Sequence, residues 1–300
     1  MAPQLFPKNP SESMVIRNVT SDVVTMSLPF ARFGRLKFGG RGTLGLSHLV
    51  PSTGDGKIVK PKIPPTDHIT RTVKMESGSI AVFSPVSLTP EVQAAVTSLG
   101  GNVKYIAALD LEHHLHLTSW KNAYPDAEII APEGLWEKRQ SNPEFKDTPF
   151  RHVFRKEDPR PRKVSDEFDA EFESEYVYGH PSRELVFLHK RSRTLIEADL
   201  LFNLPAREQY SKSNEGAKNF LTSLICPALS TAAPATWQKR FVWYVLSTAD
   251  RPAFTESMRR INNWDFNRLI PCHGDVIESG AKGVFRTVME WFLENDKKRT

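Results

Sequence analysis

The sequence is organised around one stretch, Tyr105-Ile-Ala-Ala-Leu-Asp110-Leu-Glu112-His113-His114-Leu-His116-Leu-Thr-Ser-Trp120. It begins within an apolar run, residues 103–109, which is typical of a buried strand. Five carboxylate and imidazole side chains follow within seven positions: Asp110, Glu112, His113, His114 and His116. A buried strand that ends in such side chains delivers them to a fixed point at the edge of a sheet.

The spacing of these side chains indicates a metal site. Asp110, Glu112 and His114 are at positions i, i+2 and i+4, and a tight turn between a strand and a helix would bring all three inward. Carboxylates and imidazoles together suit zinc, iron or manganese rather than a metal that prefers thiolates. The alternative interpretation is a solvated polar turn with histidines on its surface.

The composition excludes several classes of protein. With 39% apolar and 25% charged residues among 300, the chain resembles an ordinary globular protein. No apolar run reaches the ~20 residues of a membrane helix, and residues 1–13, interpreted as a flexible arm, lack the apolar core of a secretory signal. The net charge of +5 is spread out, so nucleic-acid binding is not expected. Two cysteines cannot form a disulfide framework, which favours the cytoplasm.

Strands and helices alternate in the middle of the chain. Residues 79–140 are predicted to form strand, helix, strand, helix, strand, helix, which is the pattern of an α/β layered protein. The helix after Thr89-Pro90-Glu91 carries a capping residue, a proline and an acid at its start. Residues 51–66 contain four prolines and are interpreted as a loop.

Three further predicted strands end in a side chain that can bind a metal. His180 follows an alternating strand over residues 168–178, Asp199 follows strand 194–196, and His273 follows strand 268–270. A lone histidine at a strand end is usually a polar cap. That interpretation is given to the remaining histidines outside the first cluster: His48, His68, His152 and His189.

These motifs, in this order, resemble the metallo-β-lactamase-like fold. Gly179-His180 and the hairpin running to Asp199-Leu-Leu-Phe202 match its second and third motifs, and Pro271-Cys-His-Gly274 matches its fourth. More closely, the Glu112-His113-His114 segment resembles an uncharacterised branch, defined as a domain of unknown function. The resemblance implies an αβ/βα four-layer sandwich of two mixed sheets with outer helices. It also implies a single domain over 14–300 with a helical insertion at about 204–262, expected as a cap over the site.

The first motif departs from the family pattern, His-x-His-x-Asp-His. In register, Asp110, Glu112 and His114 take the places of His, His and Asp, and Leu115 takes that of the last His. The flavodiiron pattern, His-x-Glu-x-Asp, is about as similar because Glu112 falls on its Glu. After a small shift in the turn, His113 or His116 would replace the missing ligand. The predicted metal ligands are therefore Asp110, Glu112, His113, His114, His180, Asp199 and His273.

The resemblance also implies a chemistry. In the superfamily two metals are bridged by the Asp and a hydroxide, so Asp199 would bridge them, and Asp199 and His114 are the predicted catalytic residues. We expect one or two divalent ions, zinc first and iron or manganese as alternatives. The predicted function is metal-dependent hydrolysis of a small molecule. The alternatives are a non-haem iron oxidoreductase and a metal-free binding or structural protein.

The predicted ligands at the strand ends should lie close together in space. Because strand ends at one edge of a sheet meet, His114, His180, Asp199 and His273 are expected to converge. His116 is expected to turn away from them, since the helix beginning near His114 rotates it by ~200°.

Overall fold

The computed structural model describes residues 5–46, 78–145, 148–214 and 216–294. In this part of the chain the strands form two mixed sheets and a short hairpin. In chain order the strands are β1 (Val15–Asn18), β2 (Val23–Leu28), β3 (Ala31–Arg32), β4 (Leu36–Lys37), β5 (Gly40–Leu46), β6 (Ile80–Phe83), β7 (Val103–Ala107), β8 (Glu128–Pro132), β9 (His152–Phe154), β10 (Phe172–Val177), β11 (Glu184–His189), β12 (Thr194–Ile196) and β13 (Arg268–Ile270).

The two sheets are each part antiparallel and part parallel. The seven-stranded sheet has the order β1-β2-β5-β6-β7-β8-β9, antiparallel up to β6 and parallel from β6 onward. The four-stranded sheet has the order β10-β11-β12-β13, with only the last pair parallel. The glycine-rich segment before residue 46 supplies β3, β4 and β5.

Helices cover the outer face of each sheet. In chain order they are α1 (Pro10–Ser13), α2 (Pro90–Ser98), α3 (Leu117–Ala123), α4 (Leu135–Gln140), α5 (Asp166–Glu171), α6 (Phe220–Ile225), α7 (Thr236–Phe241), α8 (Arg251–Asn263), α9 (Ala281–Val288) and α10 (Glu290–Leu293), with a 3₁₀ turn at Cys226–Leu229 and a π-helical turn at Val242–Leu246. As the sequence indicates, the Thr89 hydroxyl caps α2 by accepting from the Val92 N–H. None of the described helices is long and apolar enough to cross a membrane.

Alternation along the strands creates three hydrophobic layers. In β6, Val82 packs outward with α2 and α3, whereas Phe83 points between the sheets. In β11, Phe187 meets Phe83 in that inner layer, and Val186 packs outward with α8 and α9. The order helix, sheet, sheet, helix is the αβ/βα sandwich predicted from the sequence.

Two local predictions differ from the structure. The alternating strand expected over 168–178 begins only at Phe172, because Ser165 caps a helix by accepting from the Phe168 N–H. The helix expected from about His114 begins at Leu117. His48, His68 and the loop 51–66 lie outside the described residues.

The helices within 204–262 cover the second sheet. Phe254, Met258 and Ile261 of α8 pack against the outward-facing side chains of β11 and β12, and Trp243 packs on Phe292 of α10. This placement differs from the expected cap, because the apolar outer face of the second sheet needs a helical layer. Residues 5–13 contact the body of the fold: the Leu5 carbonyl accepts from the Ala31 N–H, and Phe6 packs on Phe30.

Loops that follow the strands meet at one edge of the sandwich. The Leu109 carbonyl, after β7, accepts from the Leu185 N–H at 2.6 Å, and the Leu111 N–H donates to the Ser182 carbonyl. The Asn203 N–H, after β12, donates to the His273 carbonyl after β13. The first two bonds join the two sheets, and the third joins two loops of the second sheet, at the edge where the predicted ligands lie.

Candidate metal centre

The loop after β7 is shaped by Asp110. One oxygen of its buried carboxylate, Oδ1, accepts from the backbone N–H of Glu112 at 2.8 Å and from that of His113 at 2.7 Å. An aspartate that binds the backbone two and three residues ahead makes a tight turn. The same oxygen lies 2.9 Å from Nδ1 of His113. The turn therefore directs the His113 ring into the site and fixes its orientation.

His113 and His273 face each other through the same ring nitrogen. Nδ1 of His273 donates to the Gly39 carbonyl at 2.6 Å, and Nδ1 of His113 donates to Asp110. Both Nε2 atoms consequently point into the site, 3.2 Å apart. Two nitrogen lone pairs at this distance repel each other unless a proton or a cation lies between them.

Asp199 completes this group. Its Oδ1 lies 3.3 Å from Nε2 of His273, and one ligand atom from each of His113, Asp199 and His273 lies within 4.8 Å of the other two. Two bonds of ~2.0–2.2 Å to a shared ion span at most ~4.4 Å, so a small adjustment suffices for all three to bind one metal. The structure thus brings together three of the seven predicted ligands.

A buried arginine holds the loop that carries His273. Arg41 donates through Nη1 to the carbonyls of Pro271 and Gly274, at 2.8 and 2.7 Å, and through Nη2 to Glu208 at 3.1 Å. Gly274 adopts φ +99°, and a side chain there would meet the Asn203 carbonyl at 2.2 Å. The Pro-Cys-His-Gly motif therefore needs its glycine for a close backbone approach.

Two further acids hold the loop that carries Asp199. The Glu184 carboxylate accepts from the backbone N–H groups of Ala198 and Asp199, at 2.7 and 2.9 Å. The Glu197 carboxylate accepts from those of Leu200 and Leu201. Burial raises the pKa of both glutamates well above its usual value, and the neighbouring acids raise it further.

The electrostatics of the histidines follow from their partners. Burial lowers the pKa of His113, but the negative charges of Asp110 and Asp199 outweigh burial and raise it to about 10. Burial opposes ionisation of Asp110, yet His113 and the backbone N–H groups lower its pKa to about 2. Burial lowers the pKa of His273 to about 4. A proton on His113 therefore occupies the space between the two Nε2 atoms, where a metal ion would replace it.

Of the four remaining predicted ligands, Asp110 contacts His113, and the other three lie away from this group. His114 is buried against Arg139, whose Nη1 donates to its Nδ1 at 3.1 Å, because the Asp110 turn sends His113 inward and its neighbour outward. Glu112 pairs with Lys138 at 2.8 Å near the surface. His180 is buried and its Nδ1 accepts from the Ser182 N–H at 3.2 Å, outside the converging group. His116 precedes α3 and packs on Phe6.

Sequence reasoning did not identify Arg41, Glu184 or Glu197. A signal existed for the glutamates, since each adjoins an apolar strand, Leu185–Leu188 and Thr194–Ile196, where a charge is costly. Arg41 lies in a glycine-rich segment without a comparable signal. Its role depends on contacts with residues more than 160 positions away.

The donor set fits a divalent metal ion. Within the described residues, three buried carboxylate oxygens of this region have no hydrogen-bond partner: Asp110 Oδ2, Glu197 Oε1 and Asp199 Oδ1. Buried polar atoms are nearly always paired, so such a group indicates a missing partner. Imidazoles and carboxylates are the ligands that zinc and iron prefer.

Two residues of the group, His113 and His273, line an apolar cleft of about 360 Å³. The rest of the lining is mostly aromatic and aliphatic, from Leu5, Phe6, Phe30, Phe33, Val86 and Leu115. Phe30 and Phe202 each stack on the His273 ring, with centroids 5.7 and 5.6 Å away. Apolar walls around a few convergent polar groups are typical of small-molecule sites.

Comparison with known proteins agrees with the predicted resemblance. A family model described as "Domain of unknown function (DUF4336)" matches residues 69–218, which is half of the chain. No curated protein matches the sequence.

Solved structures share the fold at low sequence identity. A metallo-β-lactamase from Pontibacter korlensis is 10% identical, with a TM-score of 0.52, and the alignment covers 94% of this chain and 100% of that one. A flavoprotein from Thermotoga maritima is 11% identical with a TM-score of 0.53, and the alignment covers 93% of this chain and 61% of that one. A metal-soaked flavodiiron core from Synechocystis sp. is 13% identical with a TM-score of 0.53, and the alignment covers 93% of this chain and 60% of that one. The predicted metallo-β-lactamase-like fold is confirmed.

Proposed function

The chain belongs to the family described as "Domain of unknown function (DUF4336)", and from that premise we propose that it is a metal-dependent hydrolase of a small molecule. The observation that supports this proposal is the convergence of His113, Asp199 and His273, two of which line an apolar cleft. Three protein ligands with a position left open are typical of catalytic rather than structural metal sites. Zinc is the first choice of metal.

A bound metal would lower the pKa of a coordinated water from ~15.7 toward ~7 and polarise the bond to be broken. Hydrolysis then adds the water oxygen to the electrophilic atom, and one proton of the water leaves with the departing group. Asp110 keeps His113 in the tautomer whose Nε2 is available, and the Gly39 carbonyl does the same for His273. Glu184 fixes the backbone of Asp199, so its carboxylate is already oriented.

The walls of the cleft select what reaches these groups. Phe6, Phe30 and Phe33 exclude water around a bound molecule, which strengthens every charge interaction inside. The proposed substrate is therefore a small molecule with an apolar portion next to the bond that is cleaved. A cytoplasmic location belongs to the same proposal and is supported by the two cysteines, Cys226 and Cys272, which are unpaired and buried.

The test uses protein stripped of metal and reloaded with zinc. We expect the loaded protein to hydrolyse one member of a chromogenic panel of esters, thioesters, lactones and phosphodiesters. Replacing Asp199 with Ala should abolish this turnover, whereas replacing Glu173 with Ala, on the partly exposed strand β10, should leave it unchanged. Wild type that binds no metal would overturn the proposal and favour the metal-free binding protein.

A second candidate function is supported by the donor set itself. Two imidazoles and one carboxylate with open positions are also the ligands of non-haem iron oxygenases. An iron oxidoreductase would consume dioxygen when the protein is loaded with Fe(II) and supplied with a reductant. Consumption of dioxygen by the iron form, together with no hydrolysis by the zinc form, would favour this second function.

A further inference from the structure

We infer that the centre holds one metal ion per chain, bound by His113, Asp199 and His273, and that no second ion binds beside it. This inference rests on the proposed metal-dependent function and adds the number of ions and the ligand set. It departs from the two-metal arrangement that the sequence resemblance implies. Its basis is the hydrogen-bonding state of each side chain that a second ion would need.

His180 presents the wrong nitrogen for a ligand. Its Nδ1 accepts a hydrogen bond from the Ser182 N–H at 3.2 Å, so the neutral ring carries its proton on Nε2. A nitrogen that carries a proton has no lone pair to give to a metal. The ring is buried and stacks on Phe254, with centroids 6.5 Å apart, which restricts reorientation. His180 therefore offers a proton on Nε2 rather than a lone pair, and that nitrogen has no hydrogen-bond partner among the described residues.

His114 is committed in the same way. Arginine has only donors, so the contact at 3.1 Å between Arg139 Nη1 and His114 Nδ1 requires that this nitrogen accept. Arg139 also donates to the His114 carbonyl at 2.9 Å, and it is itself buried. The arginine and the edge contact with Phe145 hold the ring outside the group formed by His113, Asp199 and His273.

The acidic side chains offer too few free atoms. Oδ1 of Asp110 already accepts three hydrogen bonds, two from backbone N–H groups and one from His113. Both oxygens of Glu184 accept from the backbone of residues 198 and 199. Glu112 is half-exposed and paired with Lys138. The unpartnered acidic oxygens that remain are Oδ2 of Asp110, Oε1 of Glu197 and Oδ1 of Asp199. Among the described residues they do not form a second group of three ligand atoms within 4.8 Å of one another, which a second catalytic zinc ion would need.

Asp110 then has a different function from the one the motif implies. It is a positioning residue, because its carboxylate orients the His113 ring rather than binding the ion. Carboxylates that hold a metal-binding histidine in this way typically change metal affinity 10–100-fold when they are removed. Replacing Asp110 with Asn, which cannot accept as strongly from Nδ1, should weaken binding within that range without removing the site.

The experiment is a titration of metal-stripped protein with Co²⁺, followed by its d–d absorption. Wild type should saturate with a break at one equivalent, and elemental analysis of zinc-loaded protein should give one zinc per chain. A break at two equivalents, or two zinc ions per chain, would overturn the inference and leave the hydrolase proposal intact. Wild type that binds neither ion overturns the hydrolase proposal itself, and the inference falls with it.

Two neighbouring histidines supply the matched variants. Replacing His113 with Asn should reduce Co²⁺ affinity at least 100-fold, whereas replacing His114 with Asn should leave the break at one equivalent. Replacing His180 with Asn should also retain one ion. Loss of binding in a folded His180 variant, checked by circular dichroism, would place His180 in the ligand set and overturn the assignment. The Co²⁺ titration of wild type tests the inference even if a variant does not fold.

Discussion

Two clusters of charged side chains differ in what surrounds their buried acids. Beside α8, the Glu175 carboxylate accepts from Ser257 at 2.6 Å and is paired with Arg160 and Arg260 at 2.9 and 3.0 Å. At the sheet edge, Asp110, Glu184, Glu197 and Asp199 lie together. Among the described residues, no lysine or arginine is paired with these four. The first cluster contains its own cations, whereas the second is balanced only by a histidine.

This difference separates a structural cluster from a functional one. A buried carboxylate needs a charge partner or hydrogen bonds, since its transfer from water is costly. Where arginines of the chain balance the buried carboxylate, the cluster needs no ion from solution and serves the stability of the fold. Where backbone N–H groups hold the acids and some oxygens stay unpaired, the protein leaves space for a cation from solution. The contrast predicts opposite responses to mutation in the two places.

The largest effect is expected at the cluster around Glu175. Replacing Glu175 with Ala leaves Arg160 and Arg260 without their shared acceptor and should lower the free energy of unfolding by about 3 kcal/mol. This value is the lower end for a broken buried pair, because Arg260 is 34% exposed. Denaturant unfolding measures it, with Glu173→Ala as a control that should cost less than about 0.5 kcal/mol. A loss as small as the control's would show that the two clusters do not differ.

A slightly smaller effect is expected from metal at the other cluster. Zinc at 100 times its dissociation constant should raise the free energy of unfolding by about 2.7 kcal/mol, because the ion binds only the folded state. His113→Asn should abolish this gain, and Glu175→Ala should retain it, since Glu175 belongs to the other cluster. Thermal or denaturant unfolding with and without zinc measures the difference. Equal gains in wild type and His113→Asn would indicate binding elsewhere.

Removing a charge from the functional cluster should stabilise the metal-free protein. Asp199→Asn keeps the shape of the side chain and relieves repulsion from Asp110 and Glu184, so a gain of about 0.5–2 kcal/mol is expected. The same variant should lose zinc binding, which exchanges function for stability. Unfolding of both proteins in the presence of a chelator measures this gain. A loss of more than about 1 kcal/mol would mean that Asp199 is already balanced without metal.

The sequence predicted the layers and strand ends better than the ligands. The apolar runs that form β7 and β11 predicted one strand in each sheet, because burial leaves a local pattern of apolar residues. Asp199 and His273 were expected to lie together because each directly follows a strand, and their ligand atoms lie 3.3 Å apart. The spacing i, i+2, i+4 selected His114 over His113, since it takes no account of the turn that Asp110 forms with the backbone. Side-chain hydrogen bonds to the backbone reverse such a choice without changing any periodicity.

The helices between residues 204 and 262 show a second limit. A cap over the site was expected from this region, yet Phe254 packs with the second sheet and Trp243 packs on Phe292 of α10. Aromatic residues indicate burial, but they do not indicate which surface buries them. Only the topology, which leaves the outer face of β11 and β12 uncovered, determines that these helices form the fourth layer.

The smallest effect is expected at Glu112, which the motif placed among the ligands and the structure places near the surface. Its carboxylate is 47% exposed and lies 2.8 Å from Lys138, and exposed ion pairs contribute about 0–1 kcal/mol. Glu112→Ala should therefore change the free energy of unfolding by less than about 0.5 kcal/mol and leave the cobalt break unchanged. Because the side chain precedes His113 directly, the variant perturbs the same loop without touching the centre. A Glu112 variant that binds no metal would show that this carboxylate is a metal ligand, as the spacing of the motif predicted.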